Sequence, residues 1–329
     1  MILHPAVIAL LASSGLISLL VLYSARHAIR IYRKWDLKSG SSLQLELERR
    51  TYLISTVLAY VFGFQLISLF LFIYTADSLC TLSTGAMCAA GTLQVNRFGY
   101  PVLFLKVLNF ILAGLWLIMN NTDNRAEDYP LIRPKYLFLL VLTPLIIADT
   151  VLQARYFLGL HPDVITSCCG SLFSGSDNAF SDLAAFPPAI MKALFSVVMV
   201  AVLAASAFFY KTGERGYLLP VLSIAAFLVA AASMLSFIGP YIYELPTHHC
   251  PFCLLQEGYG YVGYFLYAAL FCGTVAGMGV GVLILFRNKP SLVAIIPALQ
   301  KKLALVSFLS YLLFVLLVLF RIAMSNLVM

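Results

Sequence analysis

The sequence contains few charged side chains. Lysine and arginine together number 21 and aspartate and glutamate 14, so that charged residues make up 11% of the 329 residues. A soluble domain has about 25%. Such a small number of ionisable groups cannot cover a water-facing surface. This scarcity excludes an ordinary soluble enzyme, a disordered chain and a nucleic-acid-binding module.

Hydrophobic residues, in contrast, make up 62% of the chain and collect in long runs. A helix needs about 20 mostly apolar residues to cross a bilayer core about 30 Å thick. Eight runs qualify, and they cover residues 5–24, 53–75, 101–119, 136–158, 188–210, 217–239, 259–286 and 303–325. The sequence therefore predicts an all-α fold: a polytopic membrane helical bundle with about eight transmembrane helices, forming a single integral membrane domain over 1–329.

The basic residues predict how these spans are oriented. Sixteen of the 21 lysines and arginines fall in every second loop, between spans 1 and 2, 3 and 4, 5 and 6, and 7 and 8. Cytoplasmic loops of membrane proteins carry such an excess of Lys and Arg. We therefore expect both termini on the outer, periplasmic face of a bacterial or archaeal inner membrane.

Six of the seven cysteines form three pairs, and all three pairs fall in the predicted outer loops. The pairs are Cys80 with Cys88, Cys168 with Cys169, and Cys250 with Cys253. Thiols pair in oxidising compartments such as the periplasm. The pattern therefore predicts disulfide chemistry on the outer face, in contrast to Cys272, which lies inside a span.

The Cys250-Pro251-Phe252-Cys253 segment is a C-x-x-C motif at the predicted outer start of span 7. The positive end of a helix stabilises a thiolate, and the first cysteine of such a motif often has a lowered pKa. We expect a redox-active pair. The alternatives are a structural disulfide that ties the loop and part of a zinc site.

The other two pairs allow more than one interpretation. Cys80 and Cys88 flank a loop with a glycine at Gly85, and such a pair either carries reducing equivalents or forms a structural disulfide. Cys168 and Cys169 are adjacent, and a disulfide between neighbours is strained and easily reduced. This pair is a redox relay or a set of soft-metal ligands for copper, zinc or mercury.

Polar residues near the motif and inside the spans supply further candidates. His248 and His249 precede Cys250 and are expected to relay protons, to stabilise a thiolate, or to join Cys168 and Cys169 as metal ligands. Glu244 and Glu257 flank the motif as candidate proton acceptors. Ionisable groups inside a membrane mark a function or an internal ion pair. The ionisable candidates are Lys106, Asp149, Arg155 and Lys192, and the neutral amide of Asn109 shares a face with Lys106. We expect Asp149 to pair with a lysine or to be functional, and Lys192 and Arg155 to extend toward the interface.

Several of these residues occur in an order that resembles a known family. The loop pair precedes a span that begins Gly99-Tyr100-Pro101, and a second polar segment leads into the C-x-x-C motif. That second segment contains Ser236, Tyr241, Glu244 and His249-Cys250-Pro251-Phe252-Cys253-Leu254. The pattern resembles the vitamin K epoxide reductase family and, more distantly, the bacterial DsbB quinone reductases.

The resemblance implies a fold and a reaction. A four-helix redox core would comprise residues 53–119 and 217–286, with 136–210 as an inserted helical hairpin that carries Cys168 and Cys169. Cys80 and Cys88 would shuttle electrons between a soluble thioredoxin-fold protein and Cys250 and Cys253, beside a quinone (ubiquinone or menaquinone). Candidate quinone contacts are Lys106, Asn109 and Glu257, the last at the fourth position after Cys253.

The sequence thus predicts a quinone-linked membrane thiol-disulfide oxidoreductase. Two other classes remain open. One is a membrane protein that binds or transports a soft metal such as copper, zinc or mercury. The other is a structural membrane subunit whose disulfides brace its outer loops.

Overall fold

The computed structural model of the protein describes residues 3–36, 39–82, 85–161 and 187–327. These residues form α-helices joined by short turns and contain no β-strand. The predicted all-α fold is confirmed. Cys168 and Cys169, and with them the outer loop of the predicted hairpin, lie outside the described residues.

Eight helical segments of the described chain are long and apolar enough to span a membrane, as predicted. Seven of them are single helices: α1 (Pro5–Lys34), α2 (Ser42–Ser78), α4 (Gly99–Asp123), α5 (Ile132–Leu158), α6 (Pro188–Thr212), α9 (Val262–Ile284) and α10 (Ile295–Met324). The remaining segment, Leu218–Tyr243, consists of α7 (Leu218–Ser233), a π-helical turn (Met234–Ile238) and α8 (Gly239–Tyr243). A short helix, α3 (Ala89–Gln94), precedes α4.

Several helices extend beyond the predicted apolar runs. The first run was predicted to end at 24, whereas α1 continues to Lys34 and has Arg33 and Lys34 in its last turn. Basic side chains at the C-terminus of a helix favour the helical state through the macrodipole. Hydropathy detects only the membrane-buried part of a helix, so such polar ends are missed.

The described chain divides into two compact units. The first comprises Met1–Thr75, Asn96–Leu160 and Leu285–Leu299. In it α5 packs against α1 and α4. Its apolar core includes Phe62 and Trp116, whose rings meet edge to face with centroids 4.8 Å apart. Two buried ion pairs also lie in this unit: Lys106 with Asp149, and Lys135 with Asp123.

The second unit comprises Ala76–Val95, His161–Ile284 and Gln300–Met329. In it α7 packs against α6 and α9. The contact between α7 and α9 depends on small residues, because a Cβ atom at Gly277 would lie 2.0 Å from Ser223 Oγ and one at Gly281 would lie 2.5 Å from Pro220. Small residues four positions apart, such as Gly277 and Gly281, permit this close approach of two helices. The predicted four-helix core takes α2 and α4 together with α7 and α9, and it stays a prediction.

Candidate functional site

Three cysteines distant in the sequence meet in the second unit. The sulfur atoms of Cys88 and Cys250 are 3.5 Å apart, although 162 residues separate them in the chain. The sulfurs of Cys88, Cys250 and Cys253 all lie within 4.8 Å of one another, and all three residues are buried. We call these three residues the thiol cluster. The structure therefore brings together a member of the predicted loop pair and both members of the C-x-x-C motif.

The two closest sulfurs are in contact but are not bonded. A disulfide bond is about 2.05 Å long, so Cys88 and Cys250 must move about 1.5 Å toward each other to form one. No disulfide is formed among the cysteines that the structure describes. The predicted disulfides therefore stay predictions, and the arrangement corresponds to reduced thiols already at contact distance.

The loop between Cys80 and Cys88 gives its two cysteines different surroundings. Cys80 begins a 3-10 turn directly after α2 and is partly exposed, whereas Cys88 has no exposed surface. Gly85 has a φ of 85°, in the left-handed region that glycine occupies without strain. The carbonyl of Cys88 accepts the backbone N–H of Gly91 at 3.0 Å in α3. Cys80 is thus the member of the pair that solvent reaches.

The C-x-x-C motif does not open a transmembrane helix, contrary to the sequence-based expectation. Cys253 begins a 3-10 turn (Cys253–Leu255), a second 3-10 turn follows (Glu257–Tyr259), and α9 starts only at Val262. Gly260, with a φ of 66°, ends the second turn in a left-handed conformation. The expectation that Cys250 lies at the positive end of this helix is therefore wrong.

Tyrosine side chains hold the backbone of the motif instead. The Tyr243 hydroxyl donates a hydrogen bond to the carbonyl of Cys250, and the Tyr267 hydroxyl donates one to the carbonyl of Pro251 at 2.8 Å. The Tyr259 ring packs against Tyr243, with ring centroids 4.7 Å apart. Burial raises the pKa of the Tyr259 phenol, and the charge of Cys253 adds to that shift. The hydrogen bonds from Tyr243 and Tyr267 to its carbonyl groups therefore hold the motif in place.

Two polar side chains form hydrogen bonds to the main chain on either side of Cys88. Asp77 Oδ1 accepts the backbone N–H of Ala89 at 3.0 Å and Gln256 Nε2 at 3.1 Å. Gln256 Nε2 also donates to the carbonyl of Met87 at 3.1 Å. Both neighbours of Cys88 are thus hydrogen-bonded to this pair. Sequence reasoning missed Asp77, Gln256, Tyr243 as a site residue, Tyr259 and Tyr267, because their roles depend on contacts between distant segments.

The two histidines before the motif differ in their hydrogen bonding. His249 Nδ1 lies 2.8 Å from the carbonyl of Leu235 and must donate its proton there. His248 Nε2 is buried and has no hydrogen-bond partner among the described residues, and its ring meets Tyr243 edge to face at 4.5 Å. Burial lowers the pKa of His248, while a charge on Cys88 opposes this shift and His249 adds to it. The lowered pKa favours the neutral form of the His248 imidazole.

The two predicted acidic groups near the motif do not contact the thiol cluster through any described hydrogen bond. The Glu244 carboxylate accepts the backbone N–H of Asn326 at 2.9 Å and its side-chain amide at 3.2 Å. Glu257 is exposed on the second 3-10 turn. Their proposed proton-transfer roles, and those of both histidines, stay predictions.

The candidate quinone contacts Lys106 and Asn109 lie in the first unit, where both are buried. Lys106 Nζ is 3.2 Å from Asp149 Oδ2, which confirms the predicted pairing of Asp149 with a lysine. Asn109 Nδ2 donates to the carbonyl of Leu145 at 3.4 Å. Lys192, in the second unit, donates to the Tyr241 hydroxyl at 2.8 Å. Lys106 therefore serves an ion pair, and its role toward a quinone stays a prediction.

The thiol cluster is also the group of side chains that could hold a metal ion among the described residues. At the usual Zn–S distance of about 2.3 Å, tetrahedral ligands have sulfurs about 3.8 Å apart. Sulfurs within 4.8 Å of one another come close to this spacing. The predicted metal ligands Cys168 and Cys169 lie outside the described residues.

Comparison with protein-family models, with curated proteins and with solved structures finds no match for this chain. The resemblance to the vitamin K epoxide reductase family therefore rests on two cysteine spacings and the predicted topology, over about half of the chain. It stays a prediction, and the function is argued below from the geometry of the thiol cluster.

Proposed function

We propose that this protein is a membrane thiol-disulfide oxidoreductase. It exchanges electron pairs between a dithiol or disulfide of a soluble thioredoxin-fold protein and a lipid-soluble acceptor. The observation that carries the proposal is the 3.5 Å contact between Cys88 and Cys250, which belong to two separate cysteine pairs. Disulfide exchange requires a thiolate to approach a disulfide sulfur directly.

The burial of the four sulfurs suggests the order of the steps. Cys80 is partly exposed, Cys88 and Cys250 have no exposed surface, and Cys253 is 6% exposed. A soluble partner therefore meets Cys80 first. Its thiolate attacks a Cys80–Cys88 disulfide at Cys80 and releases the Cys88 thiolate; its second thiol then displaces Cys80. The partner leaves as a disulfide, and Cys80 and Cys88 now hold the two electrons and two protons.

The second exchange passes these electrons along the chain. The Cys88 thiolate attacks Cys250 of a Cys250–Cys253 disulfide, and Cys253 leaves as a thiolate. Cys80 then attacks Cys88, which restores the Cys80–Cys88 disulfide and leaves Cys250 and Cys253 reduced. Every step is reversible, so the reduction potentials of the two external partners set the direction.

A quinone is the acceptor that the resemblance implies. The described residues lend this part of the proposal little support: Glu257 is exposed and its carboxylate only accepts hydrogen bonds, and Lys106 is already engaged with Asp149. We therefore assign no residue of the chain to quinone binding. The thiol exchange stands on the cysteine geometry alone.

The experiment measures electron transfer through the purified protein in lipid vesicles. Dithiothreitol supplies electrons and a short-chain ubiquinone accepts them, with quinone absorbance as the signal. We expect Cys88→Ser and Cys250→Ser to reduce the rate at least a hundredfold, and Cys272→Ser, an exposed cysteine inside α9, to leave it unchanged. Wild-type rates in both of the first two variants would refute the proposal. Loss of thermal stability without loss of transfer would instead favour bracing disulfides.

A second candidate function is soft-metal binding, which the spacing of the three buried sulfurs favours. Reduced protein would then hold copper or zinc at one ion per chain after purification. Metal content by mass spectrometry, compared with Cys250→Ser, tests this alternative. Metal-free protein that still transfers electrons excludes it.

A further inference from the structure

A hydrogen-bonded bridge joins the Cys88 loop to the segment after the C-x-x-C motif. Gln256, three residues after Cys253, has both hydrogens of its amide nitrogen engaged: one with Asp77 Oδ1 and the other with the carbonyl of Met87. Asp77 Oδ1 in turn accepts the N–H of Ala89. The bridge is therefore hydrogen-bonded to the residues on both sides of Cys88.

The bridge matters because it acts on the residues directly before and after Cys88. Cys80 begins a 3-10 turn after α2, and Gly85 adopts a left-handed conformation. A sulfur that must stay within 3.5 Å of another needs its main chain fixed to a fraction of an ångström. Hydrogen bonds to a carboxylate are stronger than those between neutral groups, so Asp77 is suited to this task.

We propose that Asp77 and Gln256 are positioning residues that hold the Cys88 sulfur against Cys250 and thereby set the rate of exchange between the two cysteine pairs. The role of this bridge in catalysis rests on the proposed function. Its effect on the distance between the two sulfurs does not depend on that function. None of the three hydrogen bonds described for the bridge involves a sulfur atom. The bridge acts through the main chain of residues 87 and 89.

The hydrogen-bonding groups of the bridge predict different effects for different variants of Asp77 and Gln256. Asp77→Ala and Gln256→Ala each remove hydrogen bonds from both the loop and the motif segment. Asp77→Asn keeps the oxygen that accepts both hydrogen bonds and removes the negative charge. Gln256→Glu brings a second carboxylate against Asp77 and removes the hydrogen bond to Met87. The double variant Asp77→Asn with Gln256→Glu restores a donor and an acceptor between positions 77 and 256, but not the bond to Met87.

The experiment measures how fast Cys88 and Cys250 can be joined. All other cysteines are replaced by serine, so that Cys80, Cys168, Cys169, Cys253 and Cys272 are absent. Diamide then takes two electrons and two protons from the remaining thiols and forms the Cys88–Cys250 disulfide. The product is followed by the gel shift that maleimide-polyethylene glycol gives to unreacted thiols. Thr247→Ala, an exposed residue of the neighbouring loop, serves as the matched control.

We expect joining to slow about tenfold in Asp77→Ala and Gln256→Ala, which is the loss of about one charge-assisted hydrogen bond. Asp77→Asn should slow disulfide formation about threefold, and Gln256→Glu more than tenfold. On a logarithmic scale, the double variant should recover at least half of the rate that Gln256→Glu loses. Thr247→Ala joins at the parent rate. Recovery in the double variant separates a direct contact from general loosening of the fold.

The outcomes are distinguishable. If the variants of Asp77 and Gln256 join the two cysteines as fast as the parent, while their melting temperatures are unchanged, the positioning role of these two residues is refuted. If the folded parent does not form the Cys88–Cys250 disulfide at all, the geometry behind both proposals is wrong. If joining depends on Asp77 and Gln256 but the complete protein transfers no electrons, the proposed function fails. The positioning role of the two residues is then still supported.

Discussion

The two compact units bury polar groups in contrasting ways. In the first unit, Lys106 and Asp149 form an ion pair in an apolar surrounding, and Gln65 donates a further hydrogen bond to the same carboxylate oxygen at 3.1 Å. In the second unit, three buried thiols form the thiol cluster, in which the sulfurs of Cys88 and Cys250 are in contact while tyrosines hold the nearby main chain. The first arrangement pairs charges, and the second gathers reactive atoms.

The physical difference lies in the cost of burial. A buried charge without a partner is strongly destabilising, so Lys106 and Asp149 must stay together. A protonated thiol is nearly apolar and can be buried without an opposite charge. The first unit therefore depends on its polar residues for stability, whereas the second unit can use its thiols for chemistry. The predictions below are designed to separate these two roles.

The largest effect on stability is expected from breaking the ion pair of the first unit. Lys106→Met leaves the Asp149 carboxylate buried without its cation and should lower the free energy of unfolding by about 3–5 kcal/mol. Lys106→Met combined with Asp149→Leu should recover most of that loss, because no charge is then left unpaired. Unfolding in mild detergent, followed by circular dichroism, measures both.

Electron transfer per folded molecule should stay unchanged in the double variant. If the double variant is as unstable as Lys106→Met alone, the pair has a role beyond neutralising charge. In that case the contrast between a structural cluster and a reactive one would have to be abandoned.

A smaller effect is expected from loosening the main chain of the C-x-x-C motif. Tyr267→Phe removes the hydrogen bond to the carbonyl of Pro251 and should cost about 1–3 kcal/mol, since that carbonyl loses a donor. Because the motif is then less well positioned, electron transfer should fall several-fold. The rate of quinone reduction by dithiothreitol and the melting temperature together measure this.

Tyr261→Phe is the matched control, because Tyr261 is 45% exposed. It should alter neither quantity. Equal behaviour of the two variants would show that the tyrosine hydroxyl does not hold the motif.

The smallest effect concerns the pH dependence of stability. Burial lowers the pKa of His248 below its ordinary value of 6.5, so the unfolded chain takes up a proton at a higher pH than the folded chain. The stabilisation is therefore complete above about pH 6.5 and is lost as the pH falls toward the lowered pKa. His248→Gln should remove this part of the pH dependence.

Melting temperatures between about pH 7.5 and 5.5 test this expectation. The wild type should lose more stability on acidification than His248→Gln. His161→Gln, at an exposed position outside the thiol cluster, should follow the wild type. A wild-type curve that coincides with that of His248→Gln would rule out the shift.

The number and type of the helices followed from the sequence because each crossing needs a long apolar run, which composition reveals directly. Helix ends did not follow, since α1 and α2 continue through polar residues at their ends. The local structure of the C-x-x-C motif was also predicted incorrectly. Two successive 3-10 turns and Gly260 separate Cys253 from α9, and apolar periodicity does not detect such turns.

The cysteines of the candidate site were identifiable because paired spacing in predicted outer loops is unusual. Their supporting residues were not. Asp77 lies one residue before the end of α2 and Gln256 lies 179 residues later, and neither belongs to a recognisable motif. Tyr243 and Tyr267 were indistinguishable from tyrosines at a membrane interface until their hydroxyls met the carbonyls of Cys250 and Pro251.

By itself, the sequence determined that this is an all-α membrane protein with paired thiols, because composition and local spacing express those properties without reference to distant contacts. The tertiary structure alone decided that Cys88 meets Cys250 and that Asp77 and Gln256 bracket the loop that carries Cys88. The reason is physical: hydropathy acts along a single helix, whereas the distance between two sulfurs depends on how segments far apart in the chain pack together.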